Sequence, residues 1–139
     1  MKSRRFLWFL IIALAASLWV ACSGSDDPVT PPGPGTVPDS VSFAKHVQPI
    51  FSSRCAVSGC HVLPNPQAGL NLTKGVAYAN TVNVPAQHFT GTRVTPFDPA
   101  NSILYLLVQD GLMPARGSRL TSVQVQIIKK WIDQGALNN

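Results

Sequence analysis

Cys55-Ala-Val-Ser-Gly-Cys60-His61 constrains this chain more than any other stretch of its 139 residues. Two thiols lie close together, and an imidazole occupies the very next residue. Thioether attachment of a haem asks for that arrangement: two cysteines reach the two vinyl groups on one edge of the macrocycle, and the adjacent histidine turns under the ring to reach iron. The usual spacing leaves two residues between the cysteines. Here there are four, and Ser58-Gly59 supplies the flexible backbone that can loop the surplus out. A structural disulfide and a zinc site are the competing uses of the same side chains.

The N-terminus bears on the compartment, and so on that choice. Lys2, Arg4 and Arg5 precede Phe6 to Ala21, a stretch without charge and almost entirely apolar, which ends at Ala21-Cys22. This is the order of a secretory signal. Such a stretch spans roughly 24 Å as helix, short of the ~30 Å hydrocarbon layer, so a permanent membrane helix fits less well. Leu18-Trp19-Val20-Ala21-Cys22 resembles a bacterial lipobox, departing from it at Trp19, where leucine is usual. The resemblance implies cleavage after residue 21, lipidation of Cys22, and anchoring by several acyl chains, as stable attachment requires. Ser23 after that cysteine points, by analogy with known lipoproteins, to the outer membrane.

Loss of residues 1–21 changes the charge as well. The formal +5 falls to about +2, with eight basic side chains against six acidic ones. No basic run remains beyond Lys129-Lys130, so nucleic acid is not an expected partner. With Cys22 lipidated, only Cys55 and Cys60 remain. In an oxidising compartment they could simply form a disulfide, but His61 beside them argues for haem. Zinc would need four ligands, namely Cys55, Cys60, His61 and either His46 or His88, and export argues against it.

Residues 22–39 form the expected tether. Five prolines and three glycines among residues 23–39 cannot bury enough surface to offset ordering. Extended, the segment reaches roughly 50 Å. The folded domain is expected over 40–139, all-α with long loops. Phe43, Val47, Ile50 and Phe51 recur at helical spacing behind a Ser42 cap, with Pro49 restarting or kinking the helix before Cys55. Residues 62–73 read as loop, and a short helix is expected over 74–80. Asp98-Pro99 opens a helix through Gln109 that stops at Gly111. Its apolar Ile103, Leu104, Leu106, Leu107 and Val108 cover most of its circumference and predict deep burial. Thr121-Ser122-Val123-Gln124 is a capping box with Leu120 and Val125 as a staple. It opens a last helix with Val125, Ile127, Ile128, Trp131 and Ile132 inward and Gly135 as its stop.

From Phe43 to Ala136 the chain resembles the small c-type cytochrome domains of exported bacterial proteins, including variants with the wider cysteine spacing. Beyond the cysteine–histidine cluster, the matching pieces are Val47-Gln48-Pro49-Ile50-Phe51, Gly69-Leu70-Asn71-Leu72, Pro99-Ala100-Asn101-Ser102-Ile103-Leu104, Met113-Pro114 and Trp131-Ile132-Asp133-Gln134-Gly135-Ala136, in that order. The resemblance implies one haem c held covalently by Cys55 and Cys60, with His61 as proximal and Met113 as distal iron ligand. Met113 is also the one thioether left after Met1 departs with the signal. His61 is expected to donate its second ring proton to a backbone carbonyl, with Pro64 and Pro66 as candidates.

With both axial positions filled no substrate position remains, so the expected function is one-electron transfer outside the cytoplasm to a redox partner, not catalysis. The alternative is a non-catalytic surface lipoprotein that displays a binding module, with the Cys55–Cys60 disulfide or the haem purely structural. An enzyme such as a peroxidase would need a vacant or displaceable distal ligand. If Met113 does not bind iron, His88, in the long loop, is the substitute ligand to test.

Overall fold

A computed structural model describes residues 35–139. The expected signal, Cys22 and most of the tether lie outside the described residues.

Ser42 opens the first element by accepting from the backbone N–H of Lys45. The turn that follows, Phe43–Val47, is wide, with the N–H of Gln48 reaching back to the carbonyl of Phe43. Pro49 explains the widening. It has no N–H, and its ring would collide with the carbonyl four residues back in a regular helix, so the chain spreads and restarts. Helix α1 is Gln48–Arg54, with that proline in its first turn. Phe43, Val47, Ile50 and Phe51 are all buried, as their spacing predicts.

Helix α2 is Ile103–Gln109. Asp98 does cap, accepting from the backbone N–H of Asn101, but the turn it starts, Pro99–Asn101, does not run on into α2. Ser102 is extended at φ −105°, ψ 103°. Its buried hydroxyl accepts from the N–H of Thr95 at 2.9 Å and donates to the carbonyl of Asp98 at 2.8 Å. The N–H groups of Ile103 and Leu104 are satisfied by the carbonyls of Thr92 and Arg93, so a neighbouring segment caps α2. The single helix expected from 99 to 109 is thus split by tertiary hydrogen bonds.

The helix expected over 74–80 is a run of turns. Gly75 has φ +91°, and the hydroxyl of Thr81 takes the carbonyl of Ala77 while its N–H turns to the carbonyl of Tyr78, three residues back, competing with the helical ladder.

Helix α3, Ser122–Asp133, matches its signals. Thr121 and Gln124 form both halves of the capping box. At the other end the N–H of Gly135 bonds the carbonyl of Ile132 and that of Ala136 bonds the carbonyl of Trp131, which is a Schellman motif. Ile127, Ile128, Trp131 and Ile132 are fully buried, while Val125 is only half-buried at the edge of the stripe.

The core joins these pieces through Phe43, whose ring centroid lies 5.2 Å from that of Trp131, 5.4 Å from Tyr78 and 6.1 Å from Phe51. The indole N–H of Trp131 reaches the carbonyl of Leu137 at 2.9 Å. Asn139 accepts from the N–H groups of Phe43 and Ala44, and Gln134 bridges Val41 and Asp39. Val37, expected in the tether, packs on the core. Among the described residues all regular elements are helical, they cover about a third of the chain, and only isolated β-bridges occur. The fold is all-α with long loops.

Candidate functional site

Cys55 is the residue at which α1 ends, and its burial follows from that position. The four residues after it close a compact turn. The N–H of Cys60 bonds the carbonyl of Val57, and the N–H of His61 returns to the carbonyl of Cys55 at 3.1 Å. Gly59 supplies the φ of +76° that this turn needs. The surplus spacing is therefore looped out, and His61 stands directly on the backbone of the first cysteine. Both thiols are free. Burial raises the Cys55 thiol to about 11, reinforced by Cys60 and opposed by Arg54, so it stays protonated at neutral pH.

The ring of His61 is fixed from behind. Its Nδ1 lies 3.1 Å from the carbonyl of Gln67, neither of the prolines expected. The N–H of Gln67 bonds the carbonyl of Cys60, which brings the turn Gln67–Gly69 under the ring and carries the prolines past it. A carbonyl can only accept, so Nδ1 carries the proton and Nε2 the lone pair. Burial, aided by the charge of Arg93, lowers the His61 pKa, while the carbonyls of Gln67 and Leu70 oppose this. The neutral ligand-competent ring is favoured.

Arg93 was not foreseen from the sequence. It is 7% exposed and divides its guanidinium between the carbonyls of Asn80, at 2.7 Å, and Ala68, at 2.8 Å. It thereby clamps the turn that holds His61 to the segment around Asn80. A single arginine in a polar loop carries no local signal of such a role.

These groups surround a cavity of about 450 Å³, within the range of small-molecule and cofactor sites. Cys55, Cys60, His61 and Met113 all line it, so the structure gathers the four residues picked out from the sequence. Met113 belongs to the loop after α2, where its N–H and that of Leu112 both bond the carbonyl of Leu107. The walls are largely apolar: Phe51, Leu70 and Leu72 on one part, Ile103, Leu104, Leu107 and Val108 on another.

This corrects the expected deep burial of α2. Leu104, Tyr105 and Val108 are buried, but Ile103, Leu106 and Leu107 are only half-buried, and both Ile103 and Leu107 face the cavity. The helix is apolar around most of its circumference because it serves two surfaces. That excess of apolar positions was the sequence signal for the cavity.

His88 lines the same cavity from an exposed loop. His46 lies elsewhere, its Nδ1 accepting from the N–H of Ser42 at 2.9 Å. Among the described residues no three of His, Cys, Asp or Glu are grouped to hold a metal ion. Comparison with known protein families, curated proteins and solved structures finds no match to this chain.

Proposed function

We propose that this chain is an exported, lipid-anchored c-type haem protein that carries single electrons, its helical domain wrapping long loops around one haem. The observation that carries the reading is the convergence of two thiols, one neutral imidazole and one thioether on a single apolar cavity. That donor set and those walls fit a flat, apolar iron macrocycle. Cys55 and Cys60 would attach it, while His61 and Met113 would ligate iron. Haem held by these ligands would supply one-electron chemistry, and a thioether joined to an imidazole in the ligand set would raise its potential.

The chain's own residues supply the rest. Gln67 orients the imidazole and keeps its proton on Nδ1, Arg93 holds that turn in place, and α2 excludes water from one wall. With His61 and Met113 both engaged, no position remains for a substrate, so the reading is a carrier and not an enzyme. Cys22 would fix the domain to the cell envelope, on the periplasmic or surface side.

Co-expression with a c-type maturation system, followed by denaturation, tests the proposal. Haem should stay with the polypeptide, and substitution of both Cys55 and Cys60 by serine should release it. A colourless wild-type chain, with the two sulfurs joined to each other, would overturn it in favour of a display module.

A further inference from the structure

We propose that Arg54 is a positioning residue for Met113, strapping the loop that carries the thioether to the helix end that carries Cys55. The inference rests on the haem reading for its consequence, but the strap itself is a property of the chain.

The segment between α2 and α3 has no regular structure. At its start the N–H groups of Leu112 and Met113 bond the carbonyl of Leu107, and at its end Leu120 is buried and Thr121 caps α3. From Pro114 to Arg119, the described hydrogen bonds all come from Arg54, whose Nη2 donates to the carbonyl of Ser118 and reaches that of Arg119 at 3.5 Å. A second contact closes the same loop. Arg119 folds back over Gly111, where an added Cβ would stand 2.6 Å from its Nε. Arg54 is the last residue of α1, immediately before Cys55, and lines the cavity together with Met113, Pro114 and Arg116. It has no carboxylate partner among the described ion pairs, and its buried Nε has no hydrogen-bond partner, so its described role is the tie to these two carbonyls. Both contacts leave the one Nη2, whose two N–H groups lie in the guanidinium plane, a direction that an ammonium on a flexible stem does not fix.

Without the strap the loop gains conformations in which Met113 is away from the cavity. A charge-assisted hydrogen bond contributes enough that its loss favours the detached loop about tenfold. Added imidazole competes with Met113 for iron, so it reads that ratio directly.

The experiment compares haem-loaded wild type with Arg54→Ala, Arg54→Gln and Arg54→Lys. Arg54→Ala and Arg54→Gln should keep covalent haem and helical circular dichroism, bind imidazole about tenfold more tightly and weaken the methionine–iron charge-transfer band. Arg54→Lys should recover part of the loss. Amide hydrogen exchange at 115–119 should quicken in the same two variants with α3 unchanged, measured on the haem-loaded protein or, where wild type takes no haem, on the folded chain as isolated. If Arg54→Ala does not fold, Arg54→Gln carries the same comparison. Unchanged imidazole affinity in a folded, haem-loaded variant overturns the proposal, and so does unchanged exchange in the loop. Absence of covalent haem from wild type overturns the proposed function instead, leaving the exchange data to decide the strap.

Discussion

Nδ1 of His61 stands 3.1 Å from the carbonyl of Gln67, a backbone acceptor delivered by a turn that starts six residues along the chain. The bond sets the tautomer of the one imidazole beside the paired thiols, and the turn that makes it is held by the guanidinium of Arg93 at the neighbouring carbonyl of Ala68. A short chain of contacts thus runs from a buried cation to a candidate metal ligand.

Arg93→Met should be costly. It strands the carbonyls of Ala68 and Asn80, both served by one charged donor, and the loss should be about 2–4 kcal/mol. Arg93→Lys should recover only part, because an ammonium cannot span both acceptors. Urea denaturation of the haem-loaded protein gives both values. A loss below about 0.5 kcal/mol would mean the clamp does not bear on stability.

The half-buried apolar face of α2 predicts strong dependence on the proposed haem. Ile103 and Leu107 face the cavity, and each fully covered aliphatic side chain contributes about 1.5–3 kcal/mol. The haem-loaded protein should therefore melt far above the haem-free chain, which is expected to be poorly folded. Circular dichroism melts of the two forms are the measurement, and superimposable curves would contradict it.

Stability should also fall on the acid side through His46. Burial first, then the charge of Lys45, lowers its pKa. The folded pKa lies below the unfolded value, so protonation is disfavoured in the fold. This contribution is fully present above about pH 6.5 and is lost as pH falls toward the folded pKa. The melting temperature of the haem-loaded protein should drop between pH 7 and pH 5. In His46→Gln that dependence should flatten, and an unchanged slope would assign it elsewhere.

Gly135→Ala tests the end of α3. The residue sits at φ +94°, and a Cβ would lie 2.5 Å from Cζ of the Phe97 ring. Phe97 is 72% exposed and can move, so the backbone conformation sets most of the penalty, about 1–2 kcal/mol. Thermal melting should show this as a drop of several degrees.

Much of the local structure was legible in the residues. The Thr121–Gln124 box, the Ser42 cap, the restart at Pro49 and the Gly135 stop all appear where their residue types put them. Each is decided by groups within about five positions of one another, so the neighbouring side chains suffice. The segment over 74–80 failed for a local reason too, since Gly75 and Thr81 compete with the helix that the pattern suggested.

By itself the sequence determined the all-α class, the helix ends, and which two thiols, imidazole and thioether are available for chemistry. The tertiary structure alone decided that Ser102, tied to Thr95, breaks the chain before α2, that Gln67 and not a proline holds His61, that Arg93 and Arg54 tie distant loops, and that one face of α2 opens on a cavity. Caps and turns close hydrogen bonds between near neighbours, whereas these features depend on which surfaces meet across 6 to 65 residues of intervening chain.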